Sequence, residues 1–258
     1  MMQHRLLPVA ASLAVIFLGG AVPAQAEGGY KLLQPKSEWS FEGPLGTYDK
    51  AALRRGFQVY NEVCSTCHAL VHLRYGDLDG LGYTADEIKA IAAQKQVTDG
   101  PNDQGEMYQR PARASDFFAR PFPNEQAARY SNNGAVPADL SLVVKAREGG
   151  PDYVFSLLNG YKEPPAGVKL GAGMNYNAYF PGHQTAMPQP LADGAVTYAD
   201  GTRADLEQMA QDVTTFLTWA AEPNLEARHR MGLQVIGFLI LLTGVFYVLK
   251  RRIWSKVH

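Results

Sequence analysis

The feature that most constrains this 258-residue chain is a run of 19 uncharged residues, Met231 to Leu249. Ile236, Phe238, Leu239, Ile240, Leu241, Leu242, Val245 and Phe246 make it apolar on every face, and Lys250, Arg251 and Arg252 follow at once. At 1.5 Å of rise per residue a helix of that length spans about 28 Å, close to the hydrocarbon thickness of a bilayer. A buried core helix can be as apolar, but it is not normally apolar all round with three cations at its end. The positive-inside rule then puts the C-terminus in the cytoplasm and the bulk of the chain on the far side.

The N-terminus agrees with that orientation. Arg5, the apolar run Leu6 to Val22, and the small-x-small sequence Ala24-Gln25-Ala26 read as an export signal cleaved before Glu27. An uncleaved anchor is the competing reading. The expected plan is a signal at 1–26, an exported domain at 27–230, a transmembrane helix at 231–249 and a cytoplasmic tail at 250–258. In a bacterium, that means a single-pass protein of the inner membrane with its domain in the periplasm. Five of the 24 basic residues lie in the signal and tail, so the exported part sets 19 against 25 acids, near −6. That charge disfavours nucleic acid and favours a basic partner, although acidity also serves solubility alone.

Only two cysteines are present, and they fall in Cys64-Ser65-Thr66-Cys67-His68. Two thiols on one turn can each add to a haem vinyl group, and the imidazole that follows then sits beneath the iron. A redox dithiol also uses C-x-x-C, but at a helix start after a buried strand. Here Leu53, Phe57 and Tyr60, at i, i+4 and i+7, predict a helix before the motif. Zinc would need a second ligand pair that the chain lacks. The spacing therefore predicts one covalent haem c, its iron held by His68.

The sixth iron ligand is narrowed by elimination. Met1, Met2 and His4 leave with the signal, while His229, Met231 and His258 lie at or beyond the membrane. His72, one helical turn past His68, would lie on the same side of the ring. Met209 belongs to the stripe Leu206, Met209, Val213, Phe216, Leu217, a core pattern. Met107, Met174, Met187 and His183 remain. Met187 leads, because Pro188 and Pro190 hold its segment extended ahead of a long helix from Asp205 to Ala220. His183 and Met174 come next, and a Met filling a core gap is the plain alternative for Met187.

Capping signals place further helices. Thr84 and Glu87 form a capping box; Asp139 is expected to cap a helix that Gly149-Gly150 stop; Asp152 is expected to cap another, ending at Gly160; Thr202 is expected to open the last exported one. Residues 98–137 and 161–198 read as long irregular stretches, the first a candidate for wrapping haem or touching partners. The fold class is mainly α: a cytochrome c-like helical haem domain with long loops, plus one C-terminal transmembrane helix. Asp77, Asp79, Asp86, Glu87, Asp99, Asp103 and Glu106 form either a docking surface for a basic partner or a solvated face.

Several runs carry a resemblance. C-S-T-C-H, N-N-G-A-V-P-A-D-L-S (132–141), D-Y-V-F-S-L-L-N-G-Y (152–161), N-A-Y-F-P-G (177–182), D-V-T-T-F-L-T-W-A-A-E-P (212–223) and R-M-G-L (230–233) resemble the cytochrome c1 family, from about Gln34 onward. That is the haem subunit of the quinol–cytochrome c oxidoreductase. The resemblance implies His68 and Met187 as axial ligands. It also implies Arg147 at a haem propionate, Tyr153 in the haem pocket, and Asn132 and Pro137 lining it. One departure is A-M-P-Q-P where many relatives have Met-Ala-Pro-Pro. The implied partners are cytochrome b, a Rieske iron–sulfur subunit, a mobile cytochrome c and membrane lipid, in a dimeric complex. Neither G-x-S-x-G nor H-E-x-x-H occurs, and the implied work is electron transfer within an oxidoreductase complex, not catalysis by this chain alone.

Overall fold

A computed structural model describes residues 31–255. The expected export signal lies outside the described residues. Helices α1 (Lys50–Glu62), α2 (Ala85–Ala93), α3 (Glu125–Ser131), α4 (Val143–Ala146), α5 (Gly150–Asn159), α6 (Leu206–Ala221) and α7 (Leu225–Trp254) dominate. Two small antiparallel hairpins join them, β1 (Gln96–Asp99) with β2 (Tyr108–Pro111), and β3 (Asn175–Tyr176) with β4 (Gln184–Thr185). The class is mainly α with long loops, as the periodicities predict.

The core forms where α1 crosses α6. Asp49 caps α1 by accepting from the N–H of Ala51 at 2.8 Å. Asp205 caps α6 by accepting from Gln208 at 2.9 Å, so the helix opens there and not at Thr202. Leu53, Phe57 and Tyr60 are buried on one face of α1, and Met209, Val213, Phe216 and Leu217 on the facing stripe of α6. The rings of Phe57 and Tyr60 stand 5.6 and 5.7 Å from that of Phe216. Each such side chain contributes roughly 1.5–3 kcal/mol on burial. Gly56 makes the crossing possible, because a Cβ there would overlap the carbonyl oxygen of Asp212 and stand 2.7 Å from Cβ of Phe216.

Asp212 is itself buried, 1% exposed, and Arg55 reaches it with two N–H groups at 2.9 and 3.0 Å. A buried carboxylate is tolerable only with such a partner. The hydrogen bond to Asp212 is the main reason the Arg55 guanidinium holds its proton even more firmly than usual.

Three expected caps do different work. Asp139 accepts from Ser141 and, across 68 positions, from the N–H of Val71, while α4 is only one turn long. Asp152 lies in the first turn of α5, where its carboxylate accepts from Trp39 Nε1 at 2.7 Å and Gln34 Nε2 at 2.6 Å. Gly149, at φ +82°, begins α5 instead of stopping a helix before it. The capping box at Thr84 and Glu87 forms as read. The stretch 98–137 is less irregular than expected, since it contains the second half of β1, all of β2 and all of α3.

The joint between domain and stalk is short. Only Glu222, Pro223 and Asn224 separate α6 from α7. The hydroxyl of Tyr48 donates toward the carbonyls of Thr218 (3.4 Å) and Glu222 (3.1 Å), tying the end of α6 to the segment before α1. The N–H of Tyr48 meets Glu226 at 2.9 Å, and Nδ1 of His229 meets the carbonyl of Gly46 at 3.0 Å. Beyond this joint α7 is exposed and strongly apolar, and among the described residues it is the one helix long and apolar enough to cross a membrane.

Candidate haem-attachment site

The C-x-x-C-H segment leaves α1 as a tight 3-10 turn, Cys64–Thr66, with the N–H of His68 bonded to the carbonyl of Cys64 at 2.8 Å. Ser65 donates back to Asn61 at 2.7 Å and Thr66 to Val63 at 2.8 Å, so both intervening hydroxyls brace the turn. The turn ends there. His72 is an exposed residue on a later turn, not one helical turn along as the sequence suggests.

Nδ1 of His68 lies 2.6 Å from the carbonyl oxygen of Ala138. A carbonyl only accepts, so Nδ1 carries the proton and Nε2 of the neutral ring keeps its lone pair. Burial lowers the pKa of His68 below its ordinary value, outweighing Ala138 and Asp139, which act in the opposite direction. A neutral imidazole oriented through its other nitrogen is the donor that an iron requires. Leu140 donates to Ala69 at 2.9 Å and Tyr60 donates to the carbonyl of His68 at 3.1 Å, fixing the segment from both sides. Burial pushes the Cys64 thiol up to about 12, helped by Cys67. A redox dithiol lowers its thiol instead. The donor set therefore fits haem attachment and disfavours the dithiol alternative.

The segment 138–140 thus lies against the attachment turn. Pro137, adjacent to Ala138, is half-buried there, and Asn132 closes α3 by donating to Ala128 at 2.7 Å. Tyr153 is buried in α5. Arg147 is exposed between α4 and α5, and its guanidinium has no anionic partner among the described residues.

Met187 sits half-buried in the loop after β4. Its N–H donates to Oγ1 of Thr185 at 3.2 Å and its carbonyl accepts from the hydroxyl of Tyr161 at 3.1 Å, so its backbone is gripped from two sides. The other candidates differ. Met107 is 60% exposed beside β2. Met174 packs over the turn at Gly171. His183 stacks on Tyr176 and turns Nδ1 toward the carbonyl of Asn177 at 3.3 Å. Ala138, Tyr161 and Thr185 are the site residues that sequence reasoning missed. Ala138 and Tyr161 both lie in quoted family runs, but Ala138 acts through its backbone and leaves no side-chain signal.

A mainly helical domain that presents C-x-x-C-H on a turn, orients the following imidazole, and rides on one long apolar helix has the build of a membrane-anchored c-type haem protein. The pattern described as the Cytochrome C1 family matches residues 39–257. The chain is 51% identical over 241 residues to cytochrome c1-2, heme protein, mitochondrial, of Solanum tuberosum, covering 92% of each chain. It is 46% identical over 259 residues to cytochrome c1 of Rhodospirillum rubrum, covering 94% of each. Over 94% of its length it is also 46% identical to cytochrome b/c1 of Bradyrhizobium diazoefficiens, of which it spans 38%. The chain belongs to the cytochrome c1 family. Membership makes it an electron-transfer haem subunit, and haem c is the cofactor the family implies.

Proposed function

We propose that this chain is the haem-bearing subunit of a quinol–cytochrome c oxidoreductase, taking electrons from a Rieske iron–sulfur subunit and delivering them to a mobile cytochrome c. The observation that carries the reading is the His68 imidazole, held on a C-x-x-C-H turn with Nδ1 on the carbonyl of Ala138. Family membership supports it.

Haem c, when bound, supplies a one-electron change at its iron. The chain's own residues do the rest. Cys64 and Cys67 offer the thiols for attachment and His68 the proximal nitrogen. Met187 offers a thioether as sixth ligand, a pairing with His that raises a haem's potential. Arg147 is assigned to a propionate, and Tyr153, Asn132 and Pro137 to the pocket wall, on the family resemblance; that Arg147 is exposed with no anionic partner among the described residues supports its assignment. No residue is assigned as base or nucleophile, and the chain by itself is not an enzyme in this reading.

Helix α7 anchors the domain on the periplasmic side of a bacterial inner membrane, with Lys250, Arg251 and Arg252 inside. Cytochrome b is the proposed neighbour in the membrane, in a dimeric complex. The Bradyrhizobium relative carries both names in one chain, which supports that pairing.

The test is the oxidised and reduced absorption spectrum of the purified full chain, beside Met187→Leu. The reading expects a covalent low-spin haem c with a methionine–iron charge-transfer band, lost in the variant, which then binds carbon monoxide. A band that survives the substitution would remove Met187. Carbon monoxide binding by the wild type would point to an open-site haem enzyme.

A further inference from the structure

The run N-A-Y-F-P-G has no part in the reading above, yet its first residue is among the most completely enclosed polar groups in the described chain. Asn177 is 0% exposed. Its Nδ2 donates to the carbonyl of Leu157 at 2.8 Å, and its Oδ1 accepts from the N–H groups of Tyr179 (3.0 Å) and Phe180 (3.2 Å). Its own N–H donates to the carbonyl of His183 at 3.1 Å. The residue therefore ties the last turn of α5 to the tight turn at 177–183, the side chain reaching Leu157, Tyr179 and Phe180 and the backbone reaching His183, just before β4.

The packing around it leaves no slack. A Cβ on Gly160 would stand 2.6 Å from Oδ1 of Asn177 and 2.7 Å from the Tyr179 ring, so that glycine exists to admit the amide. Ala178 donates to the carbonyl of Gly160 at 2.9 Å, and Tyr161 and Asn177 form an antiparallel bridge. His183 holds φ +58°, a left-handed conformation that a non-glycine residue adopts only when its surroundings enforce it.

Both backbone restraints on Met187 descend from this knot. Thr185, which accepts from the Met187 N–H, lies on β4, paired with β3 at Asn175 and hence two residues from Asn177. Tyr161, which donates to the Met187 carbonyl, is the residue bridged to Asn177. We infer that Asn177 is a positioning residue for the Met187 loop, setting how readily that loop yields the sixth iron position to another ligand. The inference rests on Met187 as ligand. It assigns Asn177 no contact with haem.

The experiment is a titration of the full-length, haem-loaded ferric protein with imidazole, alongside its near-infrared spectrum. The variants are Asn177→Ala, Asn177→Ser and Thr185→Val, with Met187→Leu as reference. Asn177→Ser keeps a hydroxyl oxygen able to accept from the turn and loses the donor to Leu157 without adding charge; Thr185→Val loses only the hydroxyl beneath Met187. Both remain informative if Asn177→Ala fails to fold. Removing a buried hydrogen bond of this kind should tighten imidazole binding roughly 5- to 100-fold, with the ferrous spectrum of the attached haem unchanged. Imidazole affinity within about twofold of wild type in both mild variants, with the band lost in Met187→Leu, would overturn this inference alone. A band that survives Met187→Leu would overturn the ligand assignment and this inference with it.

Discussion

Arg55 grips Asp212 through Nε and a terminal nitrogen at 2.9 and 3.0 Å, pinning α1 to α6 at the centre of the domain. The other polar groups beside Asp212 among the described residues, such as the amide of Gln208 at 3.1 Å, carry no positive charge and cannot neutralise it. Arg55→Leu should therefore strand a buried carboxylate and destabilise the domain by about 3–5 kcal/mol. Asp212→Asn, which leaves an acceptor for the guanidinium, should lose less. Urea unfolding of both variants checks this; a loss below about 1 kcal/mol in Arg55→Leu would show that water reaches the pair.

Gly56 is required by geometry, not by flexibility. Gly56→Ala brings a methyl against the Asp212 backbone and the Phe216 side chain, so the helices must separate. The expected cost is about 1–3 kcal/mol, at the upper end because backbone cannot rotate away. A denaturation midpoint equal to wild type would mean that the crossing tolerates a shift.

The acidic run divides into working and uncommitted charges. Asp77 and Glu87 close capping boxes, Glu87 also pairs with Arg54 at 2.8 Å, and Asp99 is held by Arg110. Asp79, Asp86, Asp103 and Glu106 are exposed, with no cation partner among the described residues. If the run steers a basic partner, neutralising these four as Asn or Gln should flatten the salt dependence of electron delivery without changing stability. Stopped-flow rates against ionic strength check it, and an unaltered slope would make the run a solvated face.

Asp116 gives the hairpin base a pH limit. Both oxygens accept from Arg110, at 2.6 and 2.9 Å, and this bond is the main reason its pKa falls from 3.8 to about 2. A lowered carboxylate contributes stability that is complete above 3.8 and lost as pH falls through about 2. Hydrogen exchange of the amides of 96–111 should therefore accelerate across that interval, beyond the intrinsic pH effect. Asp116→Asn should reduce the pH dependence to what Asp99, lowered chiefly by the same Arg110, contributes. Equal profiles for the two proteins would assign the loosening elsewhere.

Much of this was legible from local pattern. Leu53, Phe57 and Tyr60 announced α1, the Met209 stripe announced α6, and C-x-x-C-H announced its own turn. What failed were the caps at Asp139 and Asp152. Both sit where a local rule wants an N-cap, but their carboxylates are taken by Val71 and by Trp39 and Gln34, partners more than 60 positions away. The β1–β2 hairpin escaped for a different reason: four-residue strands reading Q-V-T-D and Y-Q-R-P carry almost no alternation. Asn177 stood inside a quoted motif, yet nothing in its neighbours in sequence revealed that its amide would meet Leu157.

The three-residue link between α6 and α7, lashed by Tyr48 and His229, has a consequence for traffic. A domain on a loose tether could swing to meet each partner in turn. This one is held at a set heading relative to α7, like a platform on its post. On the proposed reading, any gap between successive electron stops is then closed by movement of the partners and not of this domain.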